Sequence, residues 1–377
     1  MTTNDVDAGY LGFVPARRRV ARRVSPEHSR EPGLTGAVAL LPDQDQGAAV
    51  PTSEEFVKLT EQFRRELLAH CYRMVGSAED AEDLVQETYL RAWRSYGGFE
   101  GRSSIRTWLY RIATNTCLTA LQHRDRRFVP SGLGSPSGDP YAPLEIADPG
   151  ISWVQPIPDA LVSTDPAEIV ASRNNLRLAL IVSLQYLPAR QRAVLLLREV
   201  LAFPAAAVAE MLDTSTAAVK SSLQRARARL GELAAEGDQI TEPTDKQARA
   251  LLDRYIAAFV NADAAALEQV LRADAALEMA GVSTWFAGRE TCIPYLAAQV
   301  LTNRGEYRML PTTANGQPAA AAYRLTDEGV YQAFGIAVLT TSDTGIVRIT
   351  VFGDANLFGP FGFPQTLPLH EDPLNAG

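Results

Sequence analysis

A chain of 377 residues with 46% hydrophobic content and a net charge of −8 supports three small domains and is too long for one ordinary core. No apolar run approaches the roughly 20 residues of a membrane helix, and the first residues lack the pattern of a signal peptide, so a cytoplasmic protein is expected. Cys71, Cys117 and Cys292 lie in separate segments without metal-ligand spacing and read as buried small hydrophobes, with no metal and no cofactor called for.

Residues 1–50 have little core-forming pattern but carry Arg17-Arg18-Arg19 and Arg22-Arg23. They read as a disordered basic arm that adds nonspecific DNA affinity, has no dedicated role, or precedes the true translation start. Residues 51–128 form the first module, with three or four helices between Glu54 and Arg127 whose charge changes sign along the chain. Ser77 caps an acidic helix running to Arg94, and Leu84, Val85, Thr88, Ala92 and Trp93 are expected to form its buried stripe. Asp80, Asp83 and Glu87 then lie along an exposed ridge beside Gln86, which suits a basic helical partner but is also what an ordinary solvated face looks like.

After Gly97-Gly98 the charge becomes strongly positive, and Phe99, Trp108 and Tyr110 interleave with Arg102, Arg106 and Arg111. That mixture suits neutralised phosphates and unstacked bases. For Trp108 the apolar neighbours Ile105, Leu109 and Ile112 favour a core position instead. Residues 129–168 contain too many Pro and Gly breakers for a packed helix and read as a linker, in which Trp153 is expected to pack on folded protein.

Residues 169–236 form the second helical module. Val208, Met211 and Leu212 hold helical spacing, Asp213-Thr214-Ser215 breaks it, and Val219, Leu223, Ala226 and Leu230 resume it, which makes a helix-turn-helix. Packing those residues inward turns Thr216, Ala217, Lys220, Ser221, Gln224 and Arg225 outward, with Arg227 extending the charge, where a recognition helix meets base edges and phosphates. A plain helical hairpin with a basic face is the alternative on this segment alone.

From residue 244 to 360 the pattern changes again. Helices are expected over Gln247 to Val260, Asp263 to Leu271 and Arg289 to Leu301. Strands follow over Arg308 to Thr313, Ala319 to Leu325, Val330 to Thr340 and Ile346 to Phe352, separated by turns such as Asn315-Gly316. Helices followed by a curved antiparallel sheet make an α+β cone, and residues 361–377 form a tail.

The stretch Ala78 to Glu87, the segment Phe99 to Asn115 and the run Leu187-Pro188 through Leu230 together resemble regions two and four of an extracytoplasmic-function RNA polymerase sigma factor. The hairpin entrance Leu201-Ala202-Phe203-Pro204 departs from that pattern, with Phe203-Pro204 where a small flexible residue is expected. The run Leu277 to Gly288 completes a resemblance of the cone to SnoaL-like domains of the nuclear-transport-factor-two superfamily. The expected fold is therefore multidomain: two all-α sigma domains, a region-two bundle and a region-four helix-turn-helix, followed by an α+β SnoaL-like domain.

The resemblance implies a sigma factor that binds core RNA polymerase and starts transcription of a specific regulon. It assigns Asp80, Asp83, Leu84, Gln86 and Glu87 to the beta-prime coiled coil, and makes the beta flap a further contact. It assigns Arg102, Ser103, Ser104, Arg106, Trp108, Arg111 and Asn115 to the minus-ten element. The minus-thirty-five element falls to Thr216, Ala217, Lys220, Ser221, Gln224, Arg225 and Arg227. Trp153, Pro156 and Pro158 resemble the linker docking motif of sigma factors with a fused C-terminal domain.

An autonomous DNA-binding regulator with a small-ligand pocket is the alternative, although it has no need of the acidic helix. The SnoaL superfamily includes isomerases and cyclases, but this cone offers no tuned acid or base beyond Asp274, Glu278 and Asp354, which surface salt links explain equally well, as core packing explains Tyr255, Tyr295, Tyr331 and Trp285. No catalytic residue is assigned. The region after Glu236 is acidic, so the cone is expected to contact the sigma domains and to compete for their basic surfaces, an autoinhibition by charge.

Overall fold

The computed structural model describes residues 53–163, 176–235 and 243–369. The expected basic arm, the end of the linker, the start of the second helical module and the tail beyond residue 369 lie outside the described residues.

Four helices build the first module: α1 (Ser53–Thr60), α2 (Arg64–Val75), α3 (Ala78–Ser95) and α4 (Ile105–Leu121). Ser77 caps α3 by accepting from the Asp80 amide, and Ser104 caps α4 by accepting from the Thr107 amide. Gly76 ends α2 at φ 73°, in the left-handed region that a residue without Cβ adopts freely. Leu84, Val85, Thr88 and Ala92 are buried as expected, whereas Trp93 is 39% exposed and leans its edge on Phe56. The helix rotates Trp93 to the rim of the stripe, and the ring is too large to be covered there.

The linker is ordered over its described part and runs as a strap. Its backbone pairs with α+β residues at Ser137 to Trp285 and at Ala147 to Gly281, then returns to the helices at Phe128 to Ser152 and Phe128 to Val154. A short helix, α5 (Asp159–Val162), follows. The second helical module contains α6 (Leu178–Gln185), α7 (Ala189–Leu195), α8 (Ala205–Met211) and α9 (Thr216–Ala235), with a π-helical turn over Leu196–Val200. The backbone strain at the hairpin entrance sits on Ala202, at φ 54°, so the flexible position is one residue before Phe203.

The C-terminal domain comprises α10 (Asp245–Asn261), α11 (Ala264–Glu268), β1 (Leu271–Ala280), β2 (Phe286–Ala287), α12 (Arg289–Gln299), β3 (Tyr307–Ala314), β4 (Gln317–Leu325), β5 (Tyr331–Ser342), β6 (Gly345–Phe352) and β7 (Thr366–Leu367). The strand order is β2-β1-β6-β5-β4-β3, with β7 on β5. The sheet is mixed rather than purely antiparallel: β1 runs parallel to β6, because the chain reaches β6 only after α12 and three further strands. The expected second helix stops at Glu268, and β1 begins at Leu271, the last residue expected to be helical.

Two cores organise these elements. One fills the space between the inner face of the sheet and α10 to α12, around Tyr255, Phe259, Leu277, Phe286, Tyr295 and Leu339. The other is shared: α2 to α4, the linker, α6 to α9 and the outer face of β4 and β5 all contribute to it. Among the described residues no helix is long and apolar enough to cross a membrane, and no group of His, Cys, Asp and Glu is arranged to hold a metal ion.

Candidate nucleic-acid interface

Helix α9 exposes one whole face. Thr216, Ala217, Lys220, Ser221, Gln224, Arg225 and Arg227 are all exposed, while Val219, Leu223 and Ala226 are buried against α7 and α8. Its charged groups are steadied within their own module: Arg225 donates to Ser221 at 2.6 Å and to Ser222 at 3.3 Å, and Arg227 pairs with Glu199 at 2.6 Å. The result is a basic, hydroxyl- and amide-bearing helix face of the kind that reads a duplex groove. The acidic C-terminal domain leaves this face exposed, so the expected charge-driven cover does not form here.

The other candidate face, on α4 and the loop before it, differs residue by residue. Arg102 is exposed and meets Glu100 at 3.2 Å, Ser103 is half-buried, and Arg111 is exposed. Ser104 is committed to its cap and to Thr107. Trp108 is half-buried against Phe99 and Tyr96, with ring centroids 4.9 and 5.9 Å away. Arg106 reaches Glu66 at 2.9 Å and lies over two rings, Tyr110 at 4.9 Å and Phe203 at 5.1 Å. Burial works against the Arg106 charge, but the hydrogen bonds and field of Glu66 raise its pKa overall. Asn115 donates to the Met211 carbonyl at 3.1 Å. Phe203 and Met211 both belong to the helix-turn-helix module, so two of the α4 side chains expected to meet DNA contact the second module instead.

That interface is wide. The Phe203 ring meets Tyr110 edge-on at 5.4 Å. Arg192 is buried, with burial lowering its pKa to about 10, and its guanidinium serves the Met74 carbonyl at the end of α2 as well as Gln185 and Leu187 of its own module. Arg126 is sandwiched between Phe128 at 4.2 Å and Tyr186 at 4.1 Å. Arginines carry these contacts because a planar cation stacks on rings and donates in several directions at once. None of these cross-module partners has a local signature in the sequence.

The acidic ridge of α3 is also divided. Asp83 and Gln86 are exposed, Glu87 pairs with Arg91 at 2.6 Å, and Leu84 is buried beneath them. Asp80, expected on the ridge, is only 16% exposed and is held by Arg124 and Arg127. Arg127 also donates to the Trp153 carbonyl at 2.7 Å, so Asp80 anchors the returning linker. Both arginines follow α4, too far along the chain for the α3 pattern to reveal them.

The linker motif docks on the junction of α2 and α3. Trp153 is half-buried, Pro156 and Pro158 are buried, and Val154 and Ile157, which the sequence reading passed over, are fully buried. Gln155 makes the polar contacts: its amide donates to Gly76 at 2.9 Å, its carbonyl accepts from Tyr72 at 2.8 Å, and its side chain accepts from Ser77 at 2.6 Å.

In the C-terminal domain Asp274, Glu278 and Asp354 each meet a charged or backbone partner. Asp274 pairs with Arg272 at 2.6 Å, and Asp354 caps the turn at Asn356. Glu278 is buried beside Arg348, and strand alternation puts it on the face opposite Leu277, away from the interior of the cone. Tyr255 and Tyr295 are core residues. Tyr331 donates to the Gly305 carbonyl at 2.6 Å, and Trp285 donates to Gly134 of the linker at 2.9 Å.

Comparison with known proteins agrees with this geometry. Residues 59–127 match the model of Sigma-70 region 2, and residues 177–230 match that of Sigma-70 region 4. The chain is 46% identical over 316 residues to the ECF RNA polymerase sigma factor SigG of Mycobacterium tuberculosis, spanning 83% of this chain and 85% of that protein. It is 25% identical over 176 residues to the ECF RNA polymerase sigma factor SigW of Bacillus subtilis, spanning 46% of this chain and 86% of that protein. The crystal structure of the Mycobacterium tuberculosis extracytoplasmic function sigma factor SigJ covers 82% of this chain and 99% of its own with a TM-score of 0.54 and 22% identity, so the two share a fold. The chain therefore belongs to the extracytoplasmic-function RNA polymerase sigma factors, which bind the core enzyme and select promoters.

Proposed function

We propose that this sigma factor rests in a closed form in which region four occupies part of the minus-ten face while the linker straps the helices together, and that the SnoaL-like domain sets how readily it opens. The observation that carries this is the use of Arg106 and Asn115 against Phe203 and Met211. Elements centred about 25 base pairs apart lie roughly 85 Å apart at about 3.4 Å per base pair. Two modules that touch side chain to side chain cannot occupy both at once, so initiation requires their separation.

In the open form, Asp83, Gln86 and Glu87 over Leu84 bind the beta-prime coiled coil, and region four meets the beta flap. Asp80 is freed for the same surface when Arg124 and Arg127 release it. Arg102, Ser103, Ser104, Arg106, Trp108, Arg111 and Asn115 engage the minus-ten element, and the exposed face of α9 reads the minus-thirty-five element. The protein acts in the cytoplasm at the nucleoid. The SnoaL-like domain is regulatory rather than enzymatic, a reading supported by the apolar and aromatic side chains that fill its interior.

Run-off transcription with core RNA polymerase on a promoter library tests the first part, with initiation at a shared two-element motif expected and silence ruling it out. Closure is tested in the full chain with dyes on Thr119→Cys in α4 and Glu210→Cys in α8, since the three native cysteines are buried. Energy transfer should be high in the free chain and drop on polymerase. Unchanged transfer on a transcribing complex would defeat the closed form.

A further inference from the structure

The turn between β3 and β4 makes more bonds to other parts of the chain than a hairpin needs. Asn315 and Gly316 occupy it at φ 59° and 66°, the left-handed pair that a two-residue hairpin requires. That backbone geometry alone accounts for an Asn-Gly sequence. It does not account for the Asn315 side chain, which is turned away from the sheet toward the linker and the helical modules.

Asn315 is fully buried and uses its amide in three directions. Its Oδ1 accepts from the Ile157 amide at 3.1 Å, and its Nδ2 donates to the Tyr72 hydroxyl at 2.7 Å and to the Leu176 carbonyl at 2.8 Å. The Asn315 amide itself donates to the Ile157 carbonyl at 3.0 Å. The next residue, Gly316, donates from its backbone to the buried carboxylate of Asp159 at 2.7 Å. Gln317 accepts from the Leu178 amide at 2.9 Å and so caps the start of α6 from another domain, while its Nε2 is tied back to Leu339 and Thr340. Tyr72 lies in region two, Ile157 and Asp159 in the linker segment, and Leu176 and Leu178 at the start of region four.

We infer that the Asn315-Gly316-Gln317 turn is a latch that holds regions two and four and the linker in the closed arrangement, and that its release is the step by which the SnoaL-like domain permits opening. This rests on the closed-form reading. A buried donor or acceptor that loses its partner is costly, and here one turn satisfies groups from three segments at once. Withdrawal of any one segment leaves a buried group of the turn without its partner, so each contact favours the others staying in place. The latch therefore responds to whether all three segments are seated, which single pairwise contacts between regions two and four cannot do.

The full chain carrying Asn315→Gly tests this. Glycine adopts the required φ, so the hairpin is kept and only the amide is lost. In the free protein the Ile157 amide should exchange with solvent about tenfold faster, as expected for the loss of a net hydrogen bond of ordinary strength. Energy transfer between Thr119→Cys and Glu210→Cys should fall, and run-off output at limiting sigma should rise severalfold. Tyr72→Phe, which removes one hydroxyl from the opposite side, should move both readouts the same way by less. Faster exchange at Ile157 with energy transfer and output unchanged from the parent would overturn the latch while leaving the closed form standing. Parent protein that keeps its free-chain energy transfer on transcribing polymerase would overturn the closed form, and the latch with it.

Discussion

The two candidate promoter-binding helices differ in how much of their chemistry is free. On α9 the candidate contacts are exposed, and Arg225 and Arg227 are steadied only by neighbours in region four. On α4, Arg106 stacks on Phe203 and Trp108 lies among rings, while Asn115 bonds Met211 yet stays exposed, as do Arg102, Ser104 and Arg111. Closure of this kind leaves the candidate duplex-reading helix available and engages only part of the candidate minus-ten face, at Arg106 and Asn115. It also differs from the charge-driven shielding expected from the acidic C-terminal domain, because the cover comes from an aromatic ring and a helix end of region four.

The largest effect is expected at Phe203. The ring is 7% exposed and shared between region four and α4, so Phe203→Ala should cost about 3–5 kcal/mol in thermal or urea unfolding. The surviving folded chain should bind a single-stranded minus-ten oligonucleotide better than the parent at low temperature. Loss of stability with no such gain would show that Phe203 serves only the helix-turn-helix core.

Acid gives the next largest effect, through α2 beneath α4. His70 is buried, meets Thr114 of α4 at 3.0 Å and packs edge-on to Tyr110, and burial, assisted by Arg73, lowers its pKa to about 3. Because the folded value lies below the unfolded one of about 6.5, the unfolded chain takes up a proton that the native chain refuses. Stability contributed by neutral His70 is present above that unfolded value and is lost as pH falls from about 6.5 toward 3, with a slope of up to about 1.4 kcal/mol per pH unit. Urea midpoints at pH 7 and pH 5 measure it, and the same slope in His70→Gln would assign the effect to another group.

What could be read from the sequence was local. The spacing Val208, Met211, Leu212, then Val219, Leu223 and Ala226 predicts the helix-turn-helix, and those residues are buried where the period puts them. The Ser77 cap, the Asn315-Gly316 turn and strands β3 to β6 are likewise decided within a few residues, whereas β7, inside the expected tail, is not. The remainder depends on partners far along the chain. Asn115 meets a residue 96 positions away and Asn315 one 243 positions away, and neither leaves a periodic trace. Asp80 has the chemistry of an exposed ridge and is turned into an anchor by two arginines that follow α4. The parallel pairing of β1 with β6 is hidden for the same reason, since register across a long connection is set by the assembled core.

On the open side of the comparison, Lys220→Ala and Arg225→Ala should each weaken binding of the full chain to minus-thirty-five duplex. A phosphate contact lowers the salt slope by about one unit, whereas loss of a base contact costs roughly 1–3 kcal/mol and relaxes preference at one position. Titrations at several salt concentrations separate the two. The closed form predicts that this binding needs no polymerase, so duplex affinity that appears only in the polymerase complex would remove the asymmetry between the helices.

The smallest effect falls at Asn115, where the two proposed roles oppose each other. Asn115→Ala removes one hydrogen bond from the closed interface, worth about 0.5–1.5 kcal/mol, which shifts the balance between closed and open forms by roughly two- to tenfold. It also removes a candidate minus-ten contact. If closure limits initiation, energy transfer falls and run-off output rises at limiting sigma. If the DNA contact dominates, energy transfer still falls but output drops, and the drop persists at saturating sigma because it arises after opening. Unaltered energy transfer would mean that the bond to Met211 adds nothing to closure, and the silencing of α4 would then rest on Phe203 and Arg106 alone.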